Sequence, residues 1–201
     1  MAKKKTEERT VHRTADPNVM GLRGTVVDQA ITETLDANYM PYAMSVIVSR
    51  AIPEIDGFKP SHRKLLYTMY KMGLLTGGRT KSANIVGQTM RLNPHGDAAI
   101  YETMVRLAKG NESLLHPFVD SKGNFGKVYS RDMAYAASRY TEAKLAPICA
   151  ELFRDLDCDA VDFVDNYDGT MKEPALLPTT FPNVLVSANQ GIAVGMASQS
   201  C

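Results

Sequence analysis

A tyrosine and an arginine stand side by side in residues 136–142, where their chemistry is complementary. Tyr140 carries a phenol, which is almost fully protonated at neutral pH, so nucleophilic attack needs a neighbouring cation or base that favours the phenoxide. Arg139 is a cation that does not lose its charge. The chain has nine tyrosines, and most tyrosines pack as amphipathic rings. The pair alone therefore leaves a catalytic and a structural role open for Tyr140.

The charge of the chain is distributed unevenly, although the net charge is only +1. Residues 59–109 contain nine bases and two acids, whereas residues 142–173 contain nine acids and three bases. A cluster of Lys and Arg is typical of a surface that binds nucleic acid, but an ordinary solvated surface can show the same pattern. The first half therefore suggests a polyanion as partner without establishing one.

Composition excludes several classes of protein. No apolar run is long enough to span a bilayer, and the basic start leads into polar sequence, so we expect a cytoplasmic protein with no membrane partner. Three cysteines without CxxC spacing indicate neither a zinc site nor a disulfide framework. The histidines share no metal-ligand spacing, and there is no Walker glycine loop, so no metal site and no nucleotide hydrolysis are predicted in this chain.

The hydrophobic pattern predicts mainly helices around the candidate residues. After a polar arm of residues 1–25, apolar side chains recur every three or four residues from Val26, which predicts an amphipathic helix that must dock on another surface. The run 44–48 fits a buried strand or the end of that helix. Further helices are predicted over residues 60–72, 81–92 and 97–109.

The start of the helix at Pro60 has an unusual charge. Lys59, His62 and Arg63 place cationic side chains beside the positive end of the helix dipole. Each such placement is unfavourable by some tenths of a kcal/mol unless an anion lies there. The pattern therefore predicts a phosphate at this helix start.

Two of the predicted helices are joined by Asn93-Pro94-His95-Gly96. Pro94 stops the first helix, and Asp97 can cap the second. Two helices joined by a short turn are typical of a helix-turn-helix DNA-binding motif, although an ordinary helical hairpin has the same pattern. Short apolar stretches around Pro117, Gly123 and Gly126 predict a small β-hairpin or wing.

The last third of the chain predicts one helix and several turns. Residues 141–156 look helical with Thr141 as the cap, although Pro147 should kink this helix or make it start later. Residues 166–169 read as a turn, residues 174–182 as extended chain, and residues 191–198 as a small apolar segment.

Eight short motifs then carry a resemblance to a known family. They run in order over nearly the whole chain: YAMSVIV (42–48), DGFKP (56–60), HR (62–63), PHGD (94–97), GNFG (123–126), RYTE (139–142), DFVDNYDG (162–169) and GIAVGMA (191–197). Together they resemble the A subunit of bacterial type IIA DNA topoisomerases, gyrase and topoisomerase IV. The motifs leave open which of the two enzymes is the nearer.

The resemblance implies a fold, a domain organisation and an activity. The fold would be α+β, mainly α, with a flexible arm over residues 1–25. Residues 26–165 would form an N-terminal helix and a winged-helix DNA-cleavage domain, a helix-turn-helix with a small β wing. Residues 166–201 would begin a truncated tower domain. The activity would be the DNA breakage and reunion of an ATP-dependent type II topoisomerase.

The resemblance also assigns the residues of the site. Tyr140 would attack a DNA backbone phosphate and form a transient 5′-phosphotyrosine, assisted by Arg139, His95 and Arg50. Adjacent side chains diverge on a regular helix, so Arg139 and Tyr140 should lie in a turn or loop before Thr141. The DNA-binding set would be Lys59, His62, Arg63, Lys81 and Ile192, with Ile192 wedged between base pairs.

Two positions depart from the usual family pattern. Asn93 stands where many relatives have a histidine, which leaves His95 as the imidazole of this segment. Ala98 stands where relatives usually carry a serine, four residues before Glu102. In the family that pair anchors a water and magnesium bridge to quinolone drugs. We therefore expect a weakened drug bridge here.

Partners and cofactors follow from the same resemblance. The chain would bind double-stranded DNA, pair with a second copy of itself and join a B subunit in an A2B2 heterotetramer. The B subunit would bind Mg²⁺ and hydrolyse ATP, so this chain, which would be a fragment of the A subunit, should be inactive alone. Two alternatives are a winged-helix regulator without enzymatic activity, and an adaptor that merely occupies the B subunit through its N-terminal helix.

Overall fold

The computed structural model describes residues 11–12, 26–108, 116–127, 134–187 and 189–199. Contacts between residues divide the chain into two units, Met1–Met44 and Ser45–Cys201. Helices and small antiparallel sheets together make the fold α+β. Within the described residues, no helix combines the length and the apolar composition that crossing a membrane requires.

A short strand pair and a helix form the described part of the first unit. Strand β1 (Val11–His12) pairs antiparallel with β2 (Val26–Val27), so the prediction of a helix from Val26 is wrong at its start. Ala30 has extended backbone angles, and helix α1 begins one residue later (Ile31–Thr34). The predicted apolar stripe lies on exposed side chains, since Ile31 is 75% exposed. The rest of the predicted arm lies outside the described residues.

The helical segment that begins with α1 continues through two wide turns. A π-helical turn (Leu35–Tyr39) leads into α2 (Met40–Val46), and a second π-helical turn (Ile47–Ala51) follows. The amide of Ile52 closes the second turn on the carbonyl of Ile47, five residues earlier. Residues 44–48 are therefore the end of a helix, and the alternative of a buried strand is wrong.

Three helices form the core of the second unit. They are α3 (Pro60–Lys71), α4 (Ser82–Thr89) and α5 (Asp97–Arg106), so three predicted helices are confirmed with slightly shorter ends. Pro60 occupies the first helical position of α3, where its missing N–H costs nothing. Leu65, Met69, Ile85 and Met104 are among the buried apolar side chains that these helices share.

The N-terminus of α5 differs from the prediction in one detail. Gly96 is the capping residue, and Asp97 is the first residue inside the helix. The Asp97 carboxylate accepts a hydrogen bond from the amide of Ala98 at 2.9 Å. Asp97 thus still satisfies an amide at the helix start, and its negative charge lies at the positive end of the dipole.

A three-stranded antiparallel sheet packs beside these helices. Its strands are β3 (Thr80–Lys81), β4 (Val119–Lys122) and β5 (Glu142–Leu145), in the order β3-β5-β4. Strand β4 lies where a small β-hairpin or wing is predicted, and it pairs antiparallel with β5, the next strand that the structure describes along the chain. The buried ring of Phe118, just before β4, meets Phe58 edge-on at 5.1 Å and joins the sheet to the helical core.

The helix predicted over residues 141–156 is wrong in its first part. Ala143 and Leu145 are buried while Glu142 and Lys144 are only half-buried, which is the two-residue alternation of a strand. Pro147 then begins a 3₁₀ turn (Pro147–Cys149) that leads into α6 (Ala150–Phe153). The alternative of a helix that starts later, at Pro147, is thus confirmed.

Two hairpins complete the chain. Strands β6 (Phe163–Asp165) and β7 (Lys172–Pro174) are joined by the predicted turn, in which Gly169 has a φ of +71° and Asp168 Oδ1 accepts two hydrogen bonds from Thr170. Helix α7 (Asn183–Val186) precedes strands β8 (Gln190–Ile192) and β9 (Ala197–Gln199). The small apolar segment of residues 191–198 is therefore a hairpin.

Candidate nucleic-acid interface

Tyr140 ends a tight turn immediately before β5. Its amide donates to the carbonyl of Ala137 at 2.9 Å, which closes the turn, and its side chain is 67% exposed. The guanidinium carbon of Arg139 lies 4.8 Å from the centre of the Tyr140 ring. The expectation of a turn before Thr141 is thus confirmed. The turn presents an exposed phenol with a cation stacked on its ring.

The turn is fixed by the start of helix α4. The first amides of a helix have no partner within the helix, and here two of them bind the turn. The amide of Ser82 donates to the carbonyl of Thr141 at 3.0 Å, and the amide of Ala83 donates to the carbonyl of Ser138 at 3.2 Å. Tyr140 therefore lies between two carbonyls that are held by a rigid element.

A buried cluster of hydroxyl groups lies beneath the same turn. The hydroxyl of Tyr101 donates to the carbonyl of Ala136 at 2.9 Å and lies 2.9 Å from Thr141 Oγ1. Thr141 Oγ1 also lies 2.9 Å from Ser82 Oγ. Neither Tyr101 nor Thr141 is among the site residues predicted from the sequence. The only sequence signal for Tyr101 is its position on α5, one residue before Glu102.

His95, Ala98 and Glu102 are exposed at the start of α5. The amide of His95 donates to the carbonyl of the buried Asn93 at 2.8 Å, which closes a tight turn within the connecting loop. Glu102 pairs with Arg106 one turn later at 2.9 Å. The spacing of four residues places Ala98 and Glu102 on one exposed face of α5, as the drug-pocket expectation requires.

Positive charges surround His62 at the start of α3, but His62 itself is not the cation that the sequence predicts. His62 is partly buried, and its pKa is lowered to about 4, first by burial and then by the positive charges of Lys59, Arg106 and Arg63. The negative charge of Asp56 opposes this effect only in part. At neutral pH His62 is therefore an uncharged hydrogen-bonding group in a positive field.

Arg63 requires a correction, because its side chain is buried and not exposed as a DNA contact would need. Its side chain is 6% exposed and forms a bidentate ion pair with Asp56, with Nε 2.7 Å from Oδ2 and Nη2 3.0 Å from Oδ1. The turn at residues 53–59 brings Asp56 back against α3, seven residues before Arg63. The guanidinium is thus committed to holding that turn, and a bound phosphate would have to compete with a buried carboxylate.

Asp56 is the centre of a wider junction. Its carboxylate also accepts the amides of Phe58 and Leu177, each at 3.0 Å, and its carbonyl accepts Asn183 Nδ2 at 2.9 Å. Gly57 has a φ of +77°, and a Cβ there would lie 2.6 Å from Asn183 Nδ2. The junction therefore ties the α3 turn to the segment that leads into the β8–β9 hairpin.

The β8–β9 hairpin packs against the end of the helical segment that carries Arg50. A Cβ on Gly191 would collide with the carbonyl oxygen of Ala51, so only glycine permits this approach. Lys59 Nζ donates to the carbonyl of Gln190 in β8. Ile192, at the end of β8, is 88% exposed. The structure thus brings together the backbone segments that carry Arg50 and Ile192, with Lys59 bound to the same hairpin.

Lys81 lies across the sheet from an acid. It pairs with Glu142 at 2.9 Å, and this hydrogen bond and charge lower the pKa of Glu142. Glu142 also lies 3.8 Å from Lys122. Lys81 is therefore close to the Tyr140 turn, with part of its charge offset by Glu142.

Comparison with known proteins gives a consistent result. A family model that describes the A subunit of DNA gyrase/topoisomerase IV matches residues 50–200. The DNA gyrase A subunit of Halalkalibacterium halodurans is 49% identical over 171 residues, which is 84% of this chain and 20% of that protein. The DNA gyrase A subunit of Streptomyces coelicolor is 52% identical over 82% of this chain and 19% of its own length.

A third relative agrees with these two. The DNA gyrase A subunit of Staphylococcus epidermidis is 49% identical over 85% of this chain and 19% of its own length. The chain therefore spans about a fifth of the length of these relatives. Since the family model covers well over half of the chain, the chain belongs to the family of DNA gyrase/topoisomerase IV A subunits.

Proposed function

We propose that this chain supplies the DNA breakage and reunion part of a type II topoisomerase, with Tyr140 as the nucleophile. The observation that carries the proposal is an exposed tyrosine on a fixed turn beside Arg139, in a chain of the gyrase/topoisomerase IV family. An exposed phenol can reach the phosphate of a large substrate, whereas a buried one cannot.

In the proposed reaction, the phenolic oxygen of Tyr140 attacks a phosphorus atom of the DNA backbone. The bond from phosphorus to the 3′ oxygen breaks, the phenol loses its proton, and the departing 3′ oxygen gains one. The products are a 5′-phosphotyrosine and a free 3′-hydroxyl. One phosphoester replaces another, so the reverse reaction reseals the strand without external energy. Arg139 and His95 stabilise the charge that grows on the phosphate.

A second group of residues positions the duplex. Arg50 and Lys59 contribute positive charge beside the β8–β9 hairpin, and neutral His62 contributes a hydrogen bond at the α3 start. The exposed side chain of Ile192 enters between base pairs and bends the DNA. Lys81 adds a further contact to the backbone close to Tyr140. Arg63 is left out of this set, because it is buried against Asp56.

The proposal extends to an assembly and a domain organisation. A second copy of the chain cuts the opposite strand, and a B subunit completes an A2B2 heterotetramer in the cytoplasm. We assign Mg²⁺ and ATP to that B subunit. Residues 26–165 are assigned to a winged-helix domain and residues 166–201 to the start of a tower.

The test is covalent attachment to DNA. The chain, with any continuation encoded with it, is mixed with its B subunit, Mg²⁺ and supercoiled plasmid, then denatured and digested with protease. We expect linear DNA that carries a peptide on Tyr140, and none from the variant Tyr140→Phe. Tyr167→Phe is the matched control, because Tyr167 is also exposed. Adduct formation by Tyr140→Phe would refute the proposal, and unchanged activity in every assay would favour the regulator without enzymatic activity.

A further inference from the structure

We propose that Tyr101 is a positioning residue for the reaction of Tyr140. The inference rests on the proposed function, since it concerns the same turn, but its evidence is separate. The hydroxyl of Tyr101 connects the two sides of the turn from below: it donates to the carbonyl of Ala136 on one side and meets Thr141 Oγ1 on the other, each at 2.9 Å.

The two contact points of Tyr101 flank the nucleophile closely. Ala136 precedes Tyr140 by four residues and Thr141 follows it directly, so one hydroxyl sets the distance between the two ends of the turn. Helix α4 holds the same turn at the carbonyls of Ser138 and Thr141, whereas Tyr101 holds it at Ala136. Thr141 is fully buried and anchored to Ser82 of α4, which makes it a fixed reference point.

The ring of Tyr101 is itself held firmly. It is 6% exposed and meets the rings of Tyr135 and Phe125 edge-on, with centroid distances of 5.5 and 6.0 Å. Side chains packed in this way keep one rotamer, so the hydroxyl occupies one place. Burial raises the pKa of Tyr101, which keeps the hydroxyl protonated and able to donate throughout the range in which DNA cleavage is measured.

Loss of this hydroxyl should affect the chemical step more than DNA binding. Tyr101 is buried beneath the turn, so it makes no contact with DNA that a substitution would remove. A misplacement of a reacting group by about 1 Å can reduce a rate by about 100-fold. We expect Tyr101→Phe, which keeps the ring, to slow adduct formation by about 10- to 100-fold while the Kd for DNA changes less than about 2-fold.

The experiment measures single-turnover adduct formation against DNA concentration, using the chain with any continuation and its B subunit. Thr141→Val removes the second contact, and Thr141→Ser restores its oxygen. Tyr135→Phe is the matched control, because it removes a hydroxyl from the neighbouring ring. We expect slow cleavage at saturating DNA for Tyr101→Phe and Thr141→Val, and near-normal rates for Thr141→Ser and Tyr135→Phe. Faster amide exchange at residues 136–141 in Tyr101→Phe would accompany the slow cleavage.

Two results would overturn the inference. One is a normal saturating rate for Tyr101→Phe; the other is a rate lost equally in Thr141→Val and Thr141→Ser. A fall in melting temperature that matches the loss of rate across all four variants would mean that the role is only structural. The Tyr140→Phe variant separates the two proposals. If Tyr140→Phe still forms the covalent adduct, the proposed function is wrong. If Tyr140→Phe forms no adduct but Tyr101→Phe cleaves DNA at the normal rate, only the positioning role is wrong.

Discussion

The junction at Asp56 gives the sharpest prediction about stability. Four N–H groups converge on one buried carboxylate: Oδ1 accepts from Phe58 N and Arg63 Nη2, and Oδ2 accepts from Leu177 N and Arg63 Nε. The variant Asp56→Asn keeps the shape of the side chain but replaces one oxygen with an NH₂ group. Whichever way the amide is turned, one Arg63 donor and one backbone donor then face another donor.

The magnitude follows from that geometry. Each buried donor that loses its acceptor costs about 1–3 kcal/mol, and breaking a buried ion pair costs about 3–5 kcal/mol in total. Asp56 and Arg63 have side chains that are only 1% and 6% exposed, so water cannot replace the lost partners. We expect Asp56→Asn to lower the free energy of unfolding by about 3–4 kcal/mol and the melting temperature by about 10 °C.

The assay is urea-induced unfolding followed by far-UV circular dichroism, with the midpoint and the slope fitted separately. Asp162→Asn is the matched control, because it makes the same substitution at an exposed acid. A double variant, Asp56→Asn with Arg63→Met, should lose less stability than the two single variants added together. If Asp56→Asn cost no more than Asp162→Asn, the junction would not hold the turn, and Arg63 would again be available for DNA.

Three further predictions concern the DNA and drug surfaces. Because the pKa of His62 is lowered to about 4, the unfolded chain takes up a proton at higher pH than the folded chain. The free energy of unfolding should therefore fall as the pH drops from about 6.5 to about 4. The variant His62→Gln should make that fall smaller, as measured by urea unfolding at a series of pH values. Ile192→Ala should reduce DNA bending, measured by energy transfer between duplex ends, while leaving most of the affinity; an unchanged bend would contradict the wedge. Ala98→Ser should increase quinolone-stabilised cleavage, and no gain would argue against a weakened drug bridge.

The helices could be predicted because their signals are local. Pro60, Pro94 and the spacing of apolar residues are all local signals, so α3, α4 and α5 appear where expected. The strand β5 could not be predicted as easily. Its four residues fit a helix by composition, and only pairing with β3 and β4, which lie far away in the sequence, makes the extended form favourable.

The site was predictable in its types of residue and less so in their roles. Tyr140 beside Arg139 is readable from the sequence, as is the positive start of α3. The burial of Arg63 is not, because its partner Asp56 reaches it only after Gly57 turns the chain with a positive φ. The role of Tyr101 could not be predicted from the sequence for a similar reason, since its two hydrogen-bond partners come together only in the folded turn.

The two helix starts in this region have opposite uses, although a lysine precedes each of them. At α4, the amides of Ser82 and Ala83 bind the carbonyls of the Tyr140 turn, and Lys81 pairs with Glu142. Those hydrogen-bond donors are therefore used within the folded chain. At α3, Pro60 has no amide hydrogen, and burial together with the positive charges around His62 keeps its imidazole neutral. A phosphate bound at α3 would therefore lower the energy of an unfavourable arrangement, whereas a phosphate at α4 would have to displace the turn that carries the proposed nucleophile.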